Sequence, residues 1–239
     1  MVSEFRRSTA EVPLAGGRST PGVVRVGDTV RRPLKPDAAH IHRLLAHLER
    51  CGFDGAPRFL GVDARGRTIL SYIDGFAPPH NGFRLTEQGV QAGARLLRRV
   101  HDLTAGTEFA AGSEVACHPG LSQPNFIFRG PDTSMIPVAI IDWDGTRPGT
   151  RVANFAAFLW AFVHPAMYGE GEPAAHMLRV AADAYGWSGS GGDLVAAMLA
   201  EVRDFQVVVE GDRGAMDWAA AELAYLERNA DLFRVRLSG

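Results

Sequence analysis

A stretch dense in glycine and proline, DGFAPPHNG at 74–82, divides the chain into two parts whose apolar periodicities differ, so no single repeating architecture accommodates both. Ahead of it, GVVRVGDTVRR (22–32) reads as two short β-branched strands about Gly27-Asp28, a dipeptide favoured in tight hairpin turns. Pro36 and Asp37 then precede AAHIHRLLAHLERCG, where Ile41, Leu44, Leu45 and Leu48 recur at helical spacing until Gly52 stops the pattern. Two further strand candidates, 58–62 and 68–73, flank the polar turn DARGR. Beyond the break the texture is mostly helical, beginning with GVQAGARLLRRVHDL. Two extended runs, 126–128 and 138–141, interrupt it before helices resume at Val152, with a later break at SGSGGD. The expected architecture is therefore α+β: a small β-rich lobe over 1–73, then a hinge near Asp74 to Phe76 and a helical lobe within 74–239. With 239 residues, 46% of them hydrophobic and 22% charged, the chain can bury one substantial core or two small ones.

Net charge near −2 supplies no basic field, which argues against nucleic acid or an anionic membrane as partner and leaves a small molecule as the default. Cys51 and Cys117 are too few and too distant for a disulfide framework or zinc cluster, and are expected to be reduced core thiols. The opening MVSEFRRSTAEVPLAGG has no apolar run of signal-peptide length, and no later run is long enough to span a bilayer, so a cytoplasmic location is expected. Lys35 is the only lysine.

The chemically informative stretches are CHPGLSQPNFIF (117–128) and VAIIDWDGTRPG (138–149). A phosphoryl-transfer site needs an Asn and an Asp that jointly hold magnesium against nucleotide phosphates, because a hard cation selects oxygen ligands and the chemistry is largely charge stabilisation. Asn125 and Asp142 supply that pair, each beside a short apolar strand that anchors it. Asp142 is also readable as a turn residue closing its strand.

At these residues the sequence resembles the aminoglycoside phosphotransferase family, relatives of protein kinases whose catalytic loop reads His-Gly-Asp, four residues, then Asn. His118, Leu121 and Asn125 fall on the family positions, and Asp142 with Trp143 falls on its metal-binding segment. LAGGRSTPGVVRVGDTVRRP resembles the family's N-terminal hairpin, RLLAHLERCGFDGAPRFLGVD its helix and next strand, and LLRRVHDLTAG the helix before its catalytic loop. The resemblance covers most of residues 14–163 and implies a protein-kinase-like two-lobe fold, with ATP and Mg2+ as candidate cofactors.

The sequence departs from this family at several points. The catalytic aspartate belongs two residues after His118, where Gly120 stands between Pro119 and Leu121, and glycine can neither accept a proton nor orient a hydroxyl. His118 itself reads as a residue that ties the loop together. Asn154 replaces the acidic residue that braces the loop in the family. On the second hairpin strand the phosphate-pairing lysine gives way to Arg31 and Arg32, which are alternatively solvated edge residues. The glutamate expected on the next helix is absent, with His40 and His42 in its neighbourhood. Asp144, two residues past Asp142, reads either as a substitute for the missing base or, by alternation in an extended segment, as a side chain facing solvent. Gly16 and Gly17 read either as a nucleotide-covering loop or as an entry to the hairpin.

Three functions follow as expectations. The first is a degenerate phosphotransferase-like protein, a pseudokinase or repurposed enzyme that keeps a small-molecule cleft. The second is an active ATP-dependent phosphotransferase acting on a small-molecule hydroxyl, and the third is a scaffold that binds a peptide or protein. Residues 150–239 carry 12 acidic against seven basic side chains, net −5, while residues 1–149 carry 15 against 18, net +3. That asymmetry suits either a wall for a cationic ligand or ordinary solvated helix faces.

Overall fold

The computed structural model describes residues 10–14, 21–78, 84–131 and 134–238; Gly16 and Gly17, read above as a nucleotide-covering loop, lie outside the described residues. The first lobe is a five-stranded antiparallel sheet in the order β1-β2-β3-β5-β4, formed by β1 (Val12–Pro13), β2 (Val24–Val26), β3 (Thr29–Pro33), β4 (Phe59–Val62) and β5 (Arg67–Ser71). Gly27 takes φ 57° in the β2–β3 turn, a conformation that costs an L side chain steric energy. Helix α1 (Ala38–Arg50) buries Ile41, Leu44, Leu45 and Leu48, the stripe the sequence periodicity predicts. Cys51 corrects the expectation of a core thiol: it caps the C-terminal end of α1 and is exposed, whereas Cys117 is buried.

The hinge passes close to the second lobe. Phe76 and Phe128 exchange two backbone hydrogen bonds of 2.9 and 2.8 Å across it. Gly75 makes that approach feasible, because a Cβ there would sit 2.5 Å from Ile127 Cγ2 and 2.6 Å from the Phe128 carbonyl oxygen.

The second lobe contains α2 (Glu87–Thr104), α3 (Arg151–Phe158), α4 (Glu172–Tyr185), α5 (Gly191–Val208) and α6 (Arg213–Leu237), with α5 and α6 packed along each other. Thr86, Thr150, Ser190 and Asp212 each accept a hydrogen bond from a first-turn backbone N–H, which fixes where α2, α3, α5 and α6 begin. Two small hairpins complete the lobe: β6 (Val115–Cys117) with β9 (Arg147–Gly149), and β7 (Phe126–Arg129) with β8 (Ile136–Ile140). Only the second hairpin is legible in the sequence. Phe126, Phe128, Phe155, Phe158 and Phe162 are fully buried and form one aromatic core, as expected for the 158–162 cluster. Gly93 on α2 leaves room for it, since a Cβ would meet the Phe162 ring at 2.6 Å.

After α3 the backbone widens into a π-helical turn, Leu159–Val163, ending at His164 with φ 53°. Such turns occur frequently at functional sites and leave no periodicity in sequence. Trp160 Nε1 and His164 Nε2 both donate to the buried carboxylate of Glu222, at 3.3 and 3.1 Å. Among the described residues, no helix is long and apolar enough to cross a membrane.

Candidate active site

Between the lobes lies a cleft of about 340 Å³. Val30 and Leu70 of the sheet line its upper wall, Ile127 and Ile141 its lower wall, and Ile73, just ahead of the hinge, its back. The backbone amide and carbonyl of Ile73 are engaged by no other described residue.

The loop below the cleft is held by a buried polar network. Gly120 N–H donates to His118 Nδ1 at 3.2 Å, and His118 Nε2–H donates to the Ile141 carbonyl at 3.0 Å. Both ring nitrogens are thus committed, and burial pushes the imidazole down to about 4, so His118 is a neutral strut, not a proton acceptor. Asn154 grips the same residue on its backbone: Oδ1 accepts from His118 N–H at 3.2 Å, and Nδ2 donates to the His118 carbonyl at 2.8 Å. An amide, having both donor and acceptor, therefore braces this loop in place of the family's acid. His101 Nε2–H donates to the same Oδ1 at 3.0 Å while Tyr185 O–H donates to His101 Nδ1 at 2.6 Å, and burial pushes His101 also down to about 4. His101 is absent from the sequence reading above. Its signal is its place on the apolar stripe Leu97, Val100, Thr104 of α2, where a charged group would be costly.

Asn125 Nδ2 donates to the Gly120 carbonyl at 2.8 Å, and Ile141 N–H donates to the Asn125 carbonyl at 2.8 Å, which sets the two chemically informative stretches side by side. Asp142 follows with φ 61°, an uncommon conformation for a non-glycine residue that turns the chain back toward the cleft. Trp143 anchors the turn: it is 2% exposed, its Nε1 donates to Ile140 O at 2.9 Å, and Thr146 Oγ1 donates to its carbonyl at 2.6 Å.

The two arginines separate. Strand β3 lies between β2 and β5, so neither is an edge residue, which corrects the alternative reading of this pair. Arg31 pairs with Asp63 at 3.8 Å and does not line the cleft. Arg32 lines it and directs Nη2 to Asp142 Oδ1, at 3.3 Å, and to Asp144 Oδ2 in a shorter contact. Burial raises the Asp144 pKa against the opposing pull of Arg32. The face of α1 on the cleft carries Ala38, Ile41, His42 and Leu45, so the helix presents no carboxylate there. The acidic side chains of 150–239 do not line the cleft. Glu170, Glu172, Asp183, Glu227 and Asp231 sit in exposed ion pairs with arginines, so helix-face ion pairing accounts for much of that excess.

No protein-family model matches the chain. It is 31% identical over 200 residues, 72% of each protein, to the trifolitoxin immunity protein of Rhizobium leguminosarum bv. trifolii. The chain belongs to the family of that immunity protein. Its fold is also that of solved phosphotransferases. A choline/ethanolamine kinase family protein from Mesorhizobium loti superposes with a TM-score of 0.60 at 14% identity, over 99% of this chain and 95% of that one. Aminoglycoside phosphotransferase APH(3'')-Id from Streptomyces rimosus, in complex with ADP and streptomycin, superposes with a TM-score of 0.53 at 17% identity, over 74% and 87%. The two-lobe fold implied by the sequence resemblance is thereby established, and this member of the immunity-protein family carries it.

Magnesium in such a site requires hard oxygen ligands at about 2.0–2.1 Å in near-octahedral geometry. Asn125 Oδ1, Asp142 and Asp144 are the right donor chemistry, but their arrangement does not fit. The Arg32 guanidinium holds both carboxylates on oxygens that such an ion would use.

Proposed function

We propose that the chain is a pseudokinase of the immunity-protein family, which binds a purine nucleotide or similar small molecule in the interlobe cleft and does not transfer phosphate. The observation that carries this reading is Gly120. At the position of the base there is no side chain, and the other acidic groups of the cleft, Asp142 and Asp144, are bonded to Arg32 rather than free to take a proton. A positioned base contributes about 10²–10⁴-fold to rate, so its loss removes ordinary turnover. Retention of binding is supported by the apolar walls, which suit a flat base, and by the backbone at Ile73, just ahead of the hinge, which offers a donor and an acceptor to its edge. The ADP and streptomycin held by APH(3'')-Id support a small-molecule occupant. The immunity assigned to the Rhizobium relative supports a protective role, exerted through a ligand that is captured and not modified.

The test is a pair of measurements on the full chain. ADP or GDP should raise the unfolding temperature, by an amount equivalent to about 2.7 kcal/mol at 100 times Kd. Aminoglycoside, choline and ethanolamine acceptors should receive no phosphate from ATP or GTP. Repair requires two changes. Gly120→Asp has no positive-φ penalty and displaces only the Asn125 amide, 2.8 Å from the new Cβ, so combined with Arg32→Lys it should restore measurable transfer. Multiple turnover by the wild-type chain would overturn the reading.

A further inference from the structure

We infer that Arg32 is the resident cation of the cleft, so that ligands bind there without a divalent metal and magnesium is excluded for as long as the guanidinium is in place. The inference rests on the reading of the cleft as a ligand site and concerns how its charge is balanced. Arg32 sits on the central strand β3, in register with Thr68 of β5, and its side chain is only 12% exposed, so its anchor does not move. Nη2 contacts one oxygen of Asp142 and one of Asp144, the oxygens that a divalent ion between those carboxylates would need.

In a site that admits a metal, a carboxylate on the neighbouring helix can draw the strand cation aside, but α1 turns Ile41, His42 and Leu45 to the cleft. Asp37, just ahead of α1, directs Oδ2 to the Gly145 N–H at 2.8 Å rather than to Arg32. Movement of Arg32 off Asp142 and Asp144 therefore separates a partly buried positive charge from both of its partners. Lys35 also lines the cleft and adds a second positive charge near Asp144. Arginine suits this role because its guanidinium stays charged at any working pH and one terminal nitrogen, Nη2, carries two N–H donors, one for each carboxylate.

The experiment is a titration of the full chain with Mn2+ in the absence of nucleotide, following the free ion by electron paramagnetic resonance. Wild type should show no saturable site that depends on Asp142. Arg32→Met should gain one saturable site, at least tenfold tighter than any wild-type binding, and the double variant Arg32→Met/Asp142→Asn should lose it. If Arg32→Met does not fold, Arg32→Lys serves, since a single-point cation with a similar stem should still open the site in part. In wild type, the ADP-induced shift in unfolding temperature should be the same with EDTA as with magnesium. An Asp142-dependent Mn2+ site in wild type, or a folded variant that gains no site, would overturn the inference. Phosphoryl transfer is measured separately, so failure of the pseudokinase reading registers as product formation and failure of the metal inference as ion uptake.

Discussion

Asn154 is the residue whose replacement tests most directly how the loop below the cleft is held. It is 6% exposed, and its amide satisfies three buried groups: the N–H and C=O of His118, at 3.2 and 2.8 Å, and the Nε2–H of His101, at 3.0 Å. Asn154→Ala leaves all three unpaired. At about 1–3 kcal/mol for each orphaned buried group, and with partial rescue by a water that enters the vacated space, the expected cost is roughly 3–6 kcal/mol. That is a large share of the roughly 5–15 kcal/mol by which proteins of this kind are stable. Asn154→Asp behaves differently. It keeps both acceptor contacts but sets a carboxylate oxygen against the His118 carbonyl, so it is destabilising at neutral pH. The same carboxylate favours the imidazolium of His101, which in wild type is disfavoured by burial down to about 4. The penalty of Asn154→Asp should therefore shrink as pH falls from 7.5 to 5.5. Urea unfolding followed by tryptophan fluorescence at the two pH values measures both quantities. A cost below about 1 kcal/mol for the alanine variant, or a pH-independent cost for the aspartate variant, would refute the reasoning.

Two further outcomes are expected. His101 and His118 have folded-state values of about 4 against an ordinary 6.5, so the unfolded chain binds more protons below pH 6.5. Stability is complete above that value and is lost as pH falls toward 4, by roughly 3 kcal/mol for each histidine; a urea midpoint that stays flat from pH 7 to 4.5 would contradict this. Gly75→Ala places a Cβ 2.5 Å from Ile127 Cγ2 at a φ of 143°, which should break the Phe76–Phe128 bridge, cost roughly 2–4 kcal/mol and weaken the ADP-induced thermal shift.

The framework of the second lobe and the groups at the cleft are constrained by different forces. The scaffold that aims Asn125 and Asp142 at the cleft is intact: His118 is clamped, Trp143 is packed and the β7–β8 hairpin is in place. At its tips stand Gly120, which carries no side chain, and Arg32, which closes the carboxylate pair. Scaffold residues are held by core packing, which this chain still needs in order to fold. Tip residues answer only to the ligand, so they can change without unfolding the protein.

The sequence by itself determined the two-part organisation and those elements with a local signature, because apolar periodicity and turn dipeptides act over a few neighbours. The β2–β3 hairpin about Gly27, the buried stripe of α1 and the β7–β8 pair are all local in this sense. The motif spacing also placed Gly120 two residues after His118, which is a matter of sequence before the loop folds. Tertiary structure decided the matters that depend on partners far apart in the chain. It separated Arg32 from Arg31, carried the guanidinium to carboxylates 110 and 112 residues away, and joined His101 to Asn154 across 53. It also showed that an amide can brace His118 where the sequence suggested a lost acid. Such pairings are set by which faces the packed core brings together, and no local pattern encodes that.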